Sequence, residues 1–402
     1  TLFHRAALAS THLGGRHEQG RLLWVARQIA VGFALLEGDF GPWRCLAQFG
    51  GGSWVSLSKD GIVEQQTEQA LNAYLAGDLA KMANRLQAAL ETARKSRSGS
   101  LVGGFLANGL ANAYGLLNRP RDARSIRIGV LQSVRGLKLT GLTALLVAKM
   151  IDDHIADGTI DELLGYSREL RGMKVGAQNK RFVLAVMMKT VQGILKLAAE
   201  RSSAGQLGAA ERILIEGREL LVLLTDAKVV GVEYVSAQVP VIQRERQQRQ
   251  ADLLRLDAEI SERRGRLEQA RAHYEQLQTL LEQQLSDAVG GARAELDRAQ
   301  VALAGGDPAS ALGHAATVQS RIGLDGDPQI IARSYLIHGL SRLNRGELPQ
   351  AFASANFGLK TLRDAKVSVA HKSLRAELHR LAALSLQGWG LVDAAAERIK
   401  HA

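Results

Sequence analysis

Hydrophobic and polar positions alternate along this chain with the spacing of amphipathic helices, as in the stretch SERRGRLEQARAHYEQL, Ser261 to Leu277. Its apolar residues fall three or four positions apart between charged ones, which is the pattern of a helix with one buried side. Gly265 lies among these strong helix formers, although glycine costs roughly 1 kcal/mol relative to alanine inside a helix. The pattern predicts helices, and the glycine needs a structural reason.

One interpretation is a single long helix within a coiled coil. Apolar residues recur every seven positions across the glycine, at Leu253, Ile260, Leu267, Tyr274 and Leu281. Sustained seven-residue spacing is typical of coiled coils. On this interpretation the glycine weakens the middle of the rod.

The other interpretation is an antiparallel helix pair. Gly265 is then the turn, Ala270 is the small residue that lets the two helices approach closely, and Tyr274 fills the groove one turn later. The rest of the chain favours this interpretation, because the same spacing of turn residue, small residue and packing residue returns. The clear copies are Gly205/Ala210/Leu214, Gly306/Ala311/Ala315, Gly346/Ala351/Ala355 and Gly390/Ala395/Ile399.

Weaker copies extend the pattern towards the N-terminus. They are Gly77/Met82/Leu86, Asn118/Ala123/Arg127 and Gly158/Leu163/Ser167. Most successive turn residues lie 40 to 47 positions apart, and one longer interval of 60 precedes Gly265. One helix hairpin per period of about 40 residues predicts a stacked solenoid.

A resemblance to tetratricopeptide-like repeats is carried by the stretch SYLIHGLSRLNRGELPQAFASANFGL. Tyr335, His338, Gly339, Gly346 and Ala351 match that family's aromatic residue, small residues and turn. The period here exceeds the family's usual value of about 34 residues, which implies longer helices. The fold class implied is all-α, a right-handed superhelix of tetratricopeptide-like helix hairpins.

A narrower resemblance covers roughly residues 60–225. The stretches LNAYLAGDLAKMANRLQAALETAR, LANAYGLLNRPRDARSI and HIADGTIDELLGYSRELRGM are similar to the superhelical sensor domain of bacterial maltose-regulator (MalT) type transcription activators. Such activators place the solenoid between a nucleotide-binding switch and a helix-turn-helix. This sequence contains no GxxxxGK[ST] loop and no recognisable DNA-reading helix pair, so the resemblance implies the isolated sensor segment of a larger regulator.

Three segments are expected. Residues 1–60 form N-terminal helices and a glycine-rich connector that includes Phe49 to Ser53, FGGGS; residues 61–240 form a first block of helical repeats; residues 241–402 form a second. No run of eighteen apolar residues exists, so no membrane span is expected. Cys45 is the only cysteine, which excludes an internal disulfide and suits the cytoplasm, whereas a removed leader would place the protein in the periplasm.

The whole chain has a formal net charge of +11, and its basic residues are concentrated in one part of the sequence. Residues 91–140 contain nine Lys or Arg residues against only Glu91 and Asp122. Such a face is either merely solvated or binds an acidic protein or anionic ligand, and we take Arg119, Arg121, Arg124 and Arg127 as candidate binding residues. Nucleic acid is not the expected partner, because few aromatic residues accompany the arginines to stack on bases.

Acidic residues gather around His154, where a hard cation or a general base is conceivable. They are Asp152, Asp153, Asp157, Asp161 and Glu162. Gly158 lies at an expected turn, so helix capping and solvation explain these acids better, because negative charge is favourable at a helix N-terminus. We predict no metal site and no cofactor.

The sequence therefore predicts a binding module without catalytic activity, because no nucleophile, base and orienting group fall into a recognisable arrangement. The expected partner is a protein or small effector in a concave groove. The module would serve as the effector- or protein-sensing solenoid of a bacterial transcription or signalling regulator. The alternative is an assembly scaffold of a secretion or envelope complex. The ligand and the oligomeric state stay open.

Overall fold

The computed structural model describes residues 61–95, 99–136, 140–157, 159–173, 180–225, 239–323, 326–365 and 372–402. All regular secondary structure in these residues is α-helical. The helices are α1 (Gly61–Leu75), α2 (Leu79–Lys95), α3 (Gly99–Leu116), α4 (Pro120–Gly136), α5 (Thr140–Asp157), α6 (Ile160–Gly172), α7 (Lys180–Ser203), α8 (Leu207–Thr225), α9 (Val239–Arg263), α10 (Leu267–Gln283), α11 (Ala288–Ala304), α12 (Pro308–Ile322), α13 (Pro328–Asn344), α14 (Leu348–Asp364), α15 (Lys372–Gly388) and α16 (Val392–Lys400). Consecutive helices pair into eight hairpins, numbered 1 to 8 in chain order, and the tetratricopeptide-like all-α fold is confirmed.

The turn of hairpin 5 has the backbone geometry that the sequence predicted. The φ angle of Gly265 is +72°, a left-handed conformation that costs other residues roughly 1–2 kcal/mol. The amide of Gly265 donates to the carbonyl of Glu262 at 2.9 Å, and the amide of Arg266 donates to the carbonyl of Ser261 at 2.8 Å. These two bonds form a Schellman motif, which satisfies the last carbonyls of the helix.

The other predicted turn residues behave in the same way where the structure describes them. The residues with positive φ at these turns are Gly77, Asn118, Gly205, Gly265, Gly306, Gly346 and Gly390; Gly158 lies outside the described residues. A single rod through position 265 is therefore excluded, because α9 ends at Arg263 and α10 begins at Leu267.

The predicted packing positions are buried with one exception. Ala270, Ala311 and Ala351 are fully buried. The packing residues four positions later are buried as well, namely Leu86, Arg127, Ser167, Leu214, Tyr274, Ala315 and Ala355. The prediction is wrong for Ile399, which is 59% exposed, because no described helix covers that side of α16.

Close approach between hairpins 7 and 8 depends on glycine. A Cβ atom added at Gly358 would lie 2.8 Å from Cδ2 of Leu378, and one at Gly339 would come still closer to Cδ2 of Leu381. Such separations are too short for carbon atoms, so a side chain at either position would require Leu378 or Leu381 to shift.

The chain divides into two compact units, Thr1–Thr190 and Val191–Ala402. The division lies within α7, whereas the segments predicted from the sequence meet at residues 60/61 and 240/241; that partition stays a prediction, and its first segment lies outside the described residues. None of the described helices is both long enough and apolar enough to cross a bilayer.

Candidate binding cleft

A cleft of about 800 Å³ lies within the second unit, lined by α8, α9 and α10. Helix α8 packs against α9, and α9 packs against α10. Helix α8 ends at Thr225 and α9 begins at Val239, whereas only three residues separate the two helices within hairpin 4 and within hairpin 5. The cleft therefore lies where the regular spacing of hairpins is interrupted.

Helix α8 contributes one stripe of side chains to the cleft. Glu211, Ile215, Arg218 and Val222 are separated by four, three and four residues, so they share one side of the helix. Ile215 is 53% exposed and Val222 is 59% exposed. Two large apolar side chains therefore face solvent on either side of an arginine.

Helix α9 contributes the deepest part of the lining. Leu253, Leu254 and Ile260 line the cleft and are buried. Because these side chains belong to the hydrophobic interior, they form an apolar floor of the cleft. Ile215 and Val222 add two exposed apolar side chains from the α8 stripe, which also carries Glu211 and Arg218.

Helix α10 contributes a polar stripe. Gln269, His273 and Gln276 line the cleft at helical spacing. The Nδ1 atom of His273 is buried and has no hydrogen-bond partner among the described residues. These side chains can donate and accept hydrogen bonds.

The turn of hairpin 5 adjoins the cleft, because Ser261 and Arg266 on its two sides line it. Arg263 donates to the carbonyl of Ser202 at 2.7 Å, at the end of α7. Arg264 pairs with Glu211 at 3.0 Å, and Arg266 bonds to the other oxygen of the same carboxylate. Three arginines around Gly265 thus hold the turns of hairpins 4 and 5 together.

The other charges in the cleft are also paired within the protein. Arg218 bonds to Asp257 at 2.7 Å, and the Asp257 side chain is only 12% exposed. Glu211 and Arg266, which also line the cleft, form an ion pair with each other. The cleft therefore combines exposed apolar side chains with polar side chains that can form hydrogen bonds, and the charged side chains described here are paired within the protein.

The predicted basic residues lie in the first unit, and four of the seven that the structure describes pair with nearby acids. Arg127 is buried, contacts Asp153 at 2.5 and 2.6 Å and donates to Oδ1 of Asn112 at 2.8 Å. Arg124 pairs with Asp157. Both arginines belong to α4 and both acids belong to α5, so these ion pairs join hairpins 2 and 3.

Other members of the basic group have different surroundings. Arg119 pairs with Asp122 at 2.7 Å and lies over the ring of Tyr114 at 4.6 Å, whereas Arg121 is exposed. Arg135 makes two bonds to Glu169, at 2.8 and 2.5 Å, and these raise its guanidinium pKa. Arg94 and Lys95 are exposed at the end of α2, while Arg97 and Lys138 lie outside the described residues.

The capping and solvation interpretation of the acidic group around His154 agrees with the structure only in part, because Asp153 and Asp157 pair with Arg127 and Arg124. Asp157 ends α5, and Asp161 and Glu162 lie in the first turn of α6. Burial raises the pKa of Asp152 and lowers the pKa of His154. In the part of the chain that the structure describes, no group of three metal-ligating side chains comes together. The segment Phe49 to Ser53 lies outside that part.

The second unit contains a further charged region, which the sequence analysis did not predict. Burial raises the pKa of Glu259 and Glu262 on α9 and of Asp297 on α11. Arg333 on α13 donates to Asp297 at 2.6 Å and to Gln300 at 2.8 Å. This region joins the first helices of hairpins 5, 6 and 7.

The first signal of the cleft in the sequence was the 60-residue interval between the turn residues Gly205 and Gly265. The spacing of Ile215 and Val222 around Arg218 was a second signal, because a helix with exposed apolar side chains has a surface available for contact. Neither signal identified α9 and α10 as the other walls.

No protein-family model matches the chain, and no curated protein sequence matches it. Solved structures of helical-repeat proteins are similar to it. The apo form of RapI is 10% identical with a TM-score of 0.44, and the match covers 93% of each chain. The apo form of the quorum sensor NprR from B. thuringiensis is 13% identical with a TM-score of 0.39, over 91% of this chain and 94% of that one. A tetratricopeptide repeat protein from Parabacteroides merdae is 13% identical with a TM-score of 0.31, over 81% of this chain and all of that one. At these identities the likeness concerns the fold alone.

Proposed function

We propose that this chain is a non-catalytic binding module whose cleft between α8 and α10 receives a segment of another protein. The observation that carries the proposal is the exposure of Ile215 and Val222 beside a floor of buried leucines. Large apolar side chains exposed next to a concave surface are typical of interaction sites. Hydrogen-bonding groups on the α10 side would fix the orientation of the bound segment.

The dimensions of the cleft define the kind of segment. Its lining residues extend from Glu211 to Val222 on α8 and from Arg266 to Gln276 on α10. At about 1.5 Å per residue, each stretch is roughly 15 Å long, which corresponds to three helical turns. An amphipathic helix of about three turns, with its apolar side towards α9, fits this length and chemistry.

The wider role that we propose is sensing within a bacterial transcription or signalling regulator. It is supported by the resemblance of residues 60–225 to maltose-regulator type sensor domains and by a repeat frame that carries an open cleft. An assembly scaffold would use the same fold with a permanent partner. The two roles differ in reversibility, so the rate at which the bound segment dissociates distinguishes them.

The basic residues give a second, weaker candidate surface. The guanidinium groups of Arg124 and Arg127 are bonded to acids within the protein, so we propose that both hold hairpins 2 and 3 together. An anionic ligand would have to bind chiefly through Arg121, with Arg119 nearby after release from Asp122. We therefore place the main site at the cleft.

The test is a selection of peptides from a displayed library with the complete chain as bait. The affinities of the selected peptides for the Ile215→Glu and Val222→Glu variants are then measured by fluorescence anisotropy and compared with their affinities for the wild-type chain. Each variant places a charge on the apolar stripe, and we expect at least about tenfold weaker binding, which corresponds to the burial of one apolar side chain.

Ile62→Glu is the matched control, because Ile62 is 58% exposed and lies on α1 in the other unit. This variant should bind the selected peptides as the wild-type chain does. Peptides that bind all four proteins equally would place the site elsewhere and refute the proposal.

A further inference from the structure

Helix α16 exposes an apolar stripe that no described helix covers. Val392, Ala396 and Ile399 lie four and three residues apart, on one side of the helix. Val392 is 63% exposed, and Ala396 and Ile399 are exposed as well. Ala395 lies at the edge of the same side, three residues after Val392 and four before Ile399, and is buried in the cluster that joins α15 and α16. The stripe therefore borders this cluster, and Val392, Ala396 and Ile399 are its exposed part.

In earlier hairpins the same surface is covered by the next hairpin. Ile399 follows its turn glycine at the same distance as Ala315 and Ala355 follow theirs. Ala315 packs in one cluster with Ile330 and Ile337 of α13. Ala355 packs in another with residues of α15. This side of a second helix is thus the side on which another helix packs.

Charged residues beside the stripe are arranged to favour an antiparallel partner. Asp393 lies in the first turn of α16 and Lys400 in its last turn. When two copies of α16 pack antiparallel, Asp393 of each helix lies next to Lys400 of the other. The same arrangement brings each Val392 next to the opposite Ile399 and the two copies of Ala396 together, where a small residue permits close approach.

We propose that a second copy of this chain binds to the α16 stripe, in a twofold symmetric dimer. Such a contact is self-complementary in charge, as a twofold interface requires. Trp389 and Leu391 in the turn before α16 are exposed as well. The proposal is independent of the cleft, which lies on α8, α9 and α10.

The first test is the molecular mass of the chain by sedimentation equilibrium over a range of concentrations. We expect a reversible monomer–dimer equilibrium for the wild-type chain. Ile399→Glu and Val392→Glu should each raise the dimer dissociation constant at least about tenfold, and Ile62→Glu should leave it unchanged. A wild-type chain that stays monomeric, or Glu variants that dimerise as well as the wild type, would refute the proposal.

Exchange of charges tests the antiparallel arrangement. Asp393→Lys alone places lysines next to lysines in the dimer, and Lys400→Asp alone places acids next to acids, so each variant should dimerise more weakly than the wild type. An equal mixture of the two variants should form mixed dimers, because every contact then joins a lysine to an aspartate.

The Lys400 ammonium also bonds to Glu397 at 2.7 Å, so circular dichroism should confirm that the helix content of both variants is unchanged. A mixture of folded variants that dimerises no better than each variant alone contradicts the antiparallel contact.

Discussion

Hairpins 2 and 7 use opposite chemistry at the same position of the repeat. In hairpin 7 this position is Ala355, which is fully buried and lets α15 pack closely. In hairpin 2 it is Arg127, whose charge is compensated by Asp153 and which also bonds to Asn112. The backbone of the repeat needs only a residue that can be covered. The side chain decides whether the contact depends on close approach or on a charged partner.

The largest expected effect comes from breaking the ionic contact. Arg127→Met leaves Asp153 without its buried counterion, and we expect a loss of about 3 kcal/mol in the free energy of unfolding. Urea denaturation followed by circular dichroism measures this loss. The double variant Arg127→Met/Asp153→Leu should recover most of it, because two apolar side chains need no charge compensation. Equal losses in the single and double variants would show that the ion pair is not the cause.

The next effect comes from filling the close contact of hairpin 7. Ala355→Leu adds three carbon atoms where α14 meets α15, and overpacking of this kind costs about 2 kcal/mol. Ala353→Leu is the matched control, because Ala353 is exposed on the same helix, and it should change the free energy of unfolding by less than about 0.5 kcal/mol. Equal effects at the two positions would contradict the packing described for Ala355.

A smaller effect separates the turns from the helices. Gly265→Ala should lower the free energy of unfolding by about 1 kcal/mol, because alanine is strained at the positive φ of this turn. The same substitution at Gly313, inside α12 and with open space around its Cα, should raise it by up to about 1 kcal/mol. Thermal unfolding of both variants tests the difference in sign. A stabilised Gly265→Ala variant would contradict the turn.

The smallest expected effect is a change of the free energy of unfolding with pH, caused by His154 in the first unit. His154 is buried; its Nδ1 atom lies 2.5 Å from Oγ1 of Thr159, and its pKa is lowered by burial and by Arg124, against the opposing charges of Glu162 and Asp153. On acidification through the unfolded-state pKa of about 6.5, the unfolded chain takes up a proton before the folded chain does. Stability should therefore fall as the pH decreases from about 7.5 to about 5.5.

His154→Gln should reduce this loss by less than about 1 kcal/mol, since a shift of one pKa unit corresponds to about 1.4 kcal/mol. His338 in the second unit, whose pKa is also lowered by burial, keeps its own contribution. Urea denaturation at both pH values measures the difference. An unchanged pH dependence in the variant would remove His154 as a cause.

The sequence predicted those features of the fold that depend on one residue and its neighbours. A positive φ strongly favours glycine or asparagine at a turn, so Gly265, Gly306 and Asn118 indicate turns by their residue type and spacing alone. Ala270 indicates close packing for an equally local reason. These constraints predicted the hairpins and their order.

Features that depend on which helices meet were not predictable in the same way. Arg127 was expected at a binding surface, because a sequence does not show that Asp153 lies opposite it. Ile399 was expected to be buried, because repeat position alone does not show whether another helix covers it. The cleft needed three helices at once, and the sequence indicated only that the hairpin spacing changes before Gly265.

The most direct test of peptide binding in the cleft is photocrosslinking, in which a photoreactive residue in the cleft is linked by light to a selected peptide. A photoreactive amino acid replaces Val222 in one sample and Ile62 in another, and both are irradiated with the same peptide. The account predicts crosslinks from position 222 that unlabelled peptide abolishes, and none from position 62. Crosslinks of equal yield from both positions, or from position 62 alone, would contradict it.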